Sequence, residues 1–222
     1  MTQDTWSAVD EYVVQALGLA EPLFADVQQA CDEAGLPPIQ VSAAQGKFLE
    51  ILVRMTGARR VLELGTLGGY SAIWMARALP AEGKIVTVEL DPKHAAVASS
   101  NFERAGVSDK VELRVGSALE TLPLISESRE GPFDLFFIDA DKANIPAYFE
   151  WALRMSRAGS VIVVDNVVRE GAVIDAASDD PSVKGVRRLN EMLAAETRVD
   201  STVLQTVGVK GYDGFAIAFV RT

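Results

Sequence analysis

Hydrophobic positions along this chain follow two rhythms, one ahead of residue 57 and one after it. Val9, Val13, Val14 and Leu17 recur at helical spacing, as do Leu23, Phe24, Val27 and Ala30, which predicts two amphipathic helices over 4–35. Leu36-Pro37-Pro38 ends the second and stiffens the connection. Ser42 is placed to cap a third helix carrying Phe48, Leu49, Leu52 and Val53, closed near Gly57. From Arg60 short apolar runs alternate with helical stretches. Strands are predicted over 60–64, 84–89, 111–115, 133–138 and 161–164, with helices following each: one carries Ile73, Met75, Ala76 and Leu79, and the others span 92–106, 117–124, 145–158 and 183–196. The stretch 170–181 has few apolar anchors and is too long for a simple connector, so it reads as mobile or as part of a site. Two last strands, 202–207 and 215–220, flank Lys210-Gly211-Tyr212-Asp213-Gly214 as the turn of an antiparallel hairpin. Five strand–helix units predict an α/β fold, an open, mostly parallel sheet with helices on both faces. With no internal repeat, the chain reads as one domain over 1–222, its N-terminal helices (1–56) preceding a core over 57–222.

Composition narrows the class. A chain of 222 residues that is 49% hydrophobic can bury a sizeable core without staples. The single cysteine, Cys31, excludes an internal disulfide and a cysteine-rich zinc site, and it reads as a small core residue. No apolar run approaches the roughly 18 residues of a membrane span. The start, with Asp4, Asp10 and Glu11, lacks the pattern of a signal peptide, so a cytoplasmic protein with no membrane partner is expected. Net charge is −10, from 21 basic and 31 acidic residues. That balance argues against a nucleic-acid partner. Arg59-Arg60 and Arg187-Arg188 read as solvated element ends, although either could add a local basic patch. One histidine, His94, makes a histidine-rich metal site or a histidine triad a poor fit.

Candidate chemistry gathers where strands end. The 60–64 strand breaks into Gly65-Thr66-Leu67-Gly68-Gly69, with Glu63 just upstream. This is not the G-x-G-x-x-G dinucleotide spacing. A phosphate gains nothing from a neighbouring carboxylate, whereas a cationic ligand does. The plainer reading is a strand-to-helix turn of any α/β protein. Glu89 closes the next strand, where a carboxylate can accept from both hydroxyls of a ribose or charge a helix N-terminus. Asp139 and Asp165 close later strands. If those strands are neighbours, their ends lie about 5 Å apart, near enough for both carboxylates to reach one cation. With the Asn166 amide they form a hard oxygen set suited to Mg²⁺, Mn²⁺ or Ca²⁺. Strand-end Asp and Asn also cap loops, and that reading stands beside the metal.

The form Glu63-x-Gly65-x-x-x-Gly69 resembles motif I of S-adenosylmethionine-dependent methyltransferases. Together with Asp139-Ala140-Asp141-Lys142, Asp165-Asn166, Leu189-Asn190-Glu191 and Tyr212-Asp213-Gly214-Phe215, the chain from about Val41 onward is similar to the metal-dependent O-methyltransferases of the catechol and caffeoyl-CoA type. The resemblance implies a Rossmann-like, seven-stranded methyltransferase sheet with its last strand antiparallel. It implies metal ligands at Asp139, Asp165 and Asn166, a catalytic Lys142, and S-adenosylmethionine contacts from Val41, Glu63, Gly65, Ser71, Glu89, Ser117, Ala118 and Asp139. Ala140-Asp141 stands where the animal catechol enzymes carry a histidine–tryptophan pair, which aligns the chain with the caffeoyl-CoA and bacterial branch. The implied reaction is direct methyl transfer to a hydroxyl of a small vicinal-dihydroxy aromatic. Mg²⁺ is the expected ion and Lys142 the group that takes the acceptor proton, in a homodimer. A tRNA-modifying enzyme acting on a hydroxylated uridine is the alternative; a non-catalytic cofactor-binding partner is opposed by retention of Lys142 and all three ligand positions.

Overall fold

The computed structural model describes residues 2–221. Its strands are β1 (Arg60–Leu64), β2 (Lys84–Glu89), β3 (Val111–Val115), β4 (Leu135–Ile138), β5 (Val161–Asp165), β6 (Val199–Gly208) and β7 (Gly211–Val220). They form one sheet in the order β3-β2-β1-β4-β5-β7-β6. Pairing is parallel from β3 through to β5, and β7 runs antiparallel to both β5 and β6. The order reverses between β1 and β4, so a crevice opens beyond their carboxyl ends, the usual ligand position in an open α/β sheet.

Three helices, α1 (Gln3–Ala16), α2 (Pro22–Glu33) and α3 (Ala43–Thr56), precede the sheet, and α4 (Tyr70–Ala78), α5 (Pro92–Arg104), α6 (Ala118–Glu127), α7 (Ile145–Arg154) and α8 (Pro181–Ala195) cover its faces. Ser42 does cap α3: its hydroxyl accepts from Gln45 N–H at 3.2 Å while the Gln45 side chain accepts from Ser42 N–H at 3.0 Å. Ser117 stands at the N-terminus of α6 but its side chain makes no capping bond, and that helix runs past Leu124.

Successive strand residues point to opposite faces. Leu62, Leu64, Phe136, Ile138 and Val164 therefore pack on α6, α7 and α8 through Leu122, Ile125, Phe149, Val186 and Leu189. Val61, Leu135, Phe137 and Val163 pack on the other side against Phe24, Leu49, Ile73, Trp74 and Phe102. The same alternation puts Glu63, Asp139 and Asp165 on this second side, beneath α3 and α4. Cys31 is buried there too. Helix α1 buries none of its residues and lies along β6, tied by Gln3 Nε2 donating to Gly208 O at 2.9 Å.

The hairpin differs from its sequence expectation. Gly211 to Gly214 are strand, not turn, and only residues 209–210 link β6 to β7. Packing explains the glycine within the strand: a Cβ at Gly214 would meet Leu204 O at 2.4 Å and the Val168 side chain at 2.6 Å. Asp213 is equally committed, since one oxygen accepts from the N–H groups of Val168 and Arg169, each at 2.9 Å.

Candidate active site

The turn after β1 is shaped by contact with β4. Gly65 has φ +96°, and a Cβ there would lie 2.3 Å from Asp139 O, so only glycine fits where the two strand ends meet. Glu89, at the end of β2, holds the turn open from the far side. Its Oε2 accepts from Thr66 N–H (3.1 Å) and Leu67 N–H (2.7 Å), and its Oε1 from Asp91 N–H (2.9 Å). Glu63 is fully buried, with Oε1 2.6 Å from the Ser71 hydroxyl and Oε2 2.5 Å from that of Thr87, which in turn lies 2.5 Å from the Thr66 hydroxyl. Burial pushes its carboxyl up to about 8, against the opposing pull of those two hydroxyls. Glu63 thus lies under the turn and not on the wall of the cleft, because β1 directs it toward α4.

Adjacent register of β4 and β5, Ile138 against Val164, brings Asp139 and Asp165 together on one face. Burial raises Asp165 to about 7, and the Asp139 charge adds to the rise. Lys142 Nζ donates to Asp139 Oδ1 at 2.7 Å. Asn166 adopts a left-handed turn (φ 58°), and its N–H donates to Asp165 Oδ1 at 2.8 Å. Asn tolerates that conformation better than most residues. Among the described residues no three His, Cys, Asp or Glu side chains converge as a metal cluster. The donor set here is instead two carboxylates and an amide.

Two cavities meet at these residues. One, of about 780 Å³, is lined by Val41, Gly65, Ser71, Glu89, Ser117, Ala118, Asp139, Lys142 and Asn166, and also by Tyr70, His94, Tyr148 and Arg169. Its volume suits a small-molecule ligand. The other, of about 550 Å³, is lined by Asp139, Asp165, Asn166, Arg169, Phe48, Phe215 and Lys210. The segment 39–41, Asp139, Asn166 and Arg169 border both. Sequence reasoning did not single out Tyr70, Tyr148 or Arg169 as site residues. Arg169 follows Asp165-Asn166 by only three positions, a local signal that could have found it.

Known proteins resemble this chain in sequence and in fold. The family model described as O-methyltransferase matches residues 16–218. A catechol O-methyltransferase from Niastella koreensis is 51% identical over 221 residues, covering 100% of both chains. The Bacillus cereus O-methyltransferase, solved in complex with SAH, superposes with a TM-score of 0.98 at 55% identity, covering 99% of this chain and 100% of that one. The O-methyltransferase TomG of Streptomyces achromogenes, involved in tomaymycin synthesis and solved in complex with SAM, gives 0.96 at 49% identity over 100% of both chains. The sheet is accordingly the Rossmann-like methyltransferase fold, and this chain is an enzyme belonging to the O-methyltransferase family.

Proposed function

We propose that this enzyme transfers a methyl group from S-adenosylmethionine to one hydroxyl of a small vicinal-dihydroxy aromatic, with a divalent ion held by Asp139, Asp165 and Asn166. One observation carries the reading: Asp139 and Asn166 line both cavities where they join, and Asp165 lines the smaller one beside them. The residues present suit both groups. Asp139 and Asp165 close neighbouring strands on one face, and the all-oxygen set they form with Asn166 favours Mg²⁺ or a similar hard ion. A cleft-lining Glu89 beside a glycine turn suits a ribose diol, and the larger cavity admits a nucleoside-sized donor. SAH and SAM in the Bacillus and Streptomyces relatives support that donor.

When bound, the ion would acidify the acceptor hydroxyl and the sulfonium donor would supply an electrophilic methyl group. The chain's own residues do the rest. Lys142, with a side chain only 10% exposed, stands by the ligand Asp139 and receives or relays the acceptor proton. Gly65 and the turn that Glu89 braces fix the donor side. Phe48 and Phe215, with ring centroids 5.1 Å apart, form an aromatic wall of the smaller cavity against which a planar acceptor can lie. The apolar walls limit water, which favours a step that cancels charge. Exposed apolar residues on the edge strand β6, Val203, Leu204 and Val207, support a homodimer. The test is a screen with methyl-labelled donor. Catechols should be labelled, single-hydroxyl phenols should not, and bulk tRNA in the same assay should remain unlabelled. Label in tRNA with none in catechols would replace the reading with the RNA one.

A further inference from the structure

We infer that Arg169 is a specificity-determining residue that reads an anionic substituent, a carboxylate, on the acceptor ring. The inference rests on the catechol-type reading above and names a narrower acceptor class.

Arg169 lines both cavities at their junction, together with Asn166 and Asp139. Its backbone is left-handed (φ 56°), as are the next two residues, Glu170 (φ 55°) and Gly171 (φ 91°). A non-glycine residue there costs on the order of 1 kcal/mol and persists only where surroundings dictate it. Here the surroundings are Asp213, whose single oxygen accepts from Val168 and Arg169 N–H. The loop is thus pinned from β7 in a form that seats this side chain over the cavities.

Having been seated there, the guanidinium is left unpaired. Its Nε is buried with no hydrogen-bond partner, and among the described residues its side chain enters no ion pair or side-chain hydrogen bond. A buried, unpartnered charged donor is costly unless a ligand satisfies it. Of the acids around it, Asp139 is engaged by Lys142, Asp10 by the Val209 N–H, Asp213 by backbone N–H groups and Asp165 by the Asn166 N–H, while Glu170 carries no such bond among the described residues, and none of the five pairs with Arg169. Arg169 therefore retains its fork of donors for an incoming anion, and a carboxylate matches that fork in two parallel hydrogen bonds. Lys210, at the rim of the smaller cavity and donating to Pro38 O at 2.8 Å, is a second positive charge among the acids Asp10, Asp139, Asp165, Glu170 and Asp213 that line it. The aromatic wall of Phe48 and Phe215 takes the ring to which such a carboxylate would be attached.

Protocatechuate and its carboxamide separate charge from shape, since both carry the same diol on a ring of nearly the same size. Their kcat/KM values are measured for the wild-type enzyme, Arg169→Gln and Arg169→Lys, with catechol as a third acceptor and calorimetric titration of the methyl donor alongside. The expected wild-type preference for the acid over the amide is about tenfold or more, carried by KM, the low end of what a hydrogen bond to a charged group is worth. Arg169→Gln should bring that ratio close to one, and Arg169→Lys should restore part of it. A wild-type enzyme that turns over catechol and amide as well as the acid overturns the inference while leaving the catechol reading intact. A ratio unchanged in Arg169→Gln also overturns it. So does weakened donor binding with equal losses for acid and amide, which would assign Arg169 to the donor's own carboxylate. If none of the three acceptors is methylated by wild-type enzyme that binds the donor, the catechol reading falls and the inference with it. Lys210→Gln gives an independent reading should Arg169→Gln fold poorly: a lower acid-to-amide ratio supports an anionic acceptor, and an unchanged one counts against it.

Discussion

Beneath the glycine turn, the polar groups of the chain satisfy one another: Glu63 takes the hydroxyls of Ser71 and Thr87, and Glu89 takes three backbone N–H groups. Across the cleft, at the ends of β4 and β5, they do so less completely. Burial and then the Asp139 charge raise Asp165, Lys142 is the sole cation paired with Asp139 among the described residues, and Arg169 holds a buried Nε without a partner. The donor side is preformed by the protein, so ligand contacts there add to a finished scaffold. On the proposed reading, the acceptor side is completed by the cation and the acceptor that bind there. Changes on the acceptor side should therefore cut turnover, and changes on the donor side should cut affinity and stability.

The largest expected effect is at Lys142. Lys142→Ala should lower kcat by about 10²–10⁴-fold, the range for a positioned acid–base group. Donor affinity should barely change, and the loss should shrink for nitro-substituted catechols, whose hydroxyl ionises more readily. Rates across acceptors of graded acidity decide it; a small, uniform loss would reduce Lys142 to an ion-pair partner of Asp139.

Next comes Glu89, whose removal leaves the N–H groups of Thr66 and Leu67 unpaired as well as any ribose hydroxyls. Glu89→Ala should weaken donor binding by roughly 1.5–3 kcal/mol, with kcat at saturation much less affected. Calorimetric titration reads this directly. Undiminished affinity would mean that the donor is held by other groups.

Smallest per pH unit is an effect on stability at Glu63. Its folded-state carboxyl, at about 8, lies above the ordinary glutamate value. The native state therefore binds a proton that the unfolded chain has lost, and the stability this contributes at low pH is lost as pH rises from about 4.5 toward 8. Glu63→Gln does not titrate, so its stability relative to wild type should improve with pH across that window, by at most about 1.4 kcal/mol per pH unit. Urea denaturation at several pH values measures the slope difference; parallel curves would show that Glu63 is ionised beneath the turn.

Much of the fold was legible because its signals are local. The strands at 84–89 and 111–115, the Ser42 cap and the parallel order follow from periodicity and capping chemistry within a few residues of each position. The strand-end acids were legible for the same reason: Asp139 and Asp165 each close an apolar run. What escaped the sequence depends on distant contacts. Nothing near Gly211–Gly214 announces a strand; Leu204 and Val168, packed against Gly214, make it one. The loop at 169–171 takes its left-handed course from Asp213, more than forty positions away. Glu63 looked exposed to a ligand because the glycine turn follows it, yet Ser71 on α4 and Thr87 on β2 draw its carboxyl into the interior.

Metal removal tests the central claim most directly. Enzyme treated exhaustively with a chelator is assayed for methyl transfer to catechol and, in parallel, titrated with S-adenosylmethionine, before and after Mg²⁺ is returned. The account predicts that turnover disappears and is restored by Mg²⁺ or Mn²⁺, while donor binding largely persists, since Gly65 and Glu89 lie on the preformed side. Full turnover by metal-free enzyme would contradict it, leaving Asp139, Asp165 and Asn166 as structural residues at the ends of their strands.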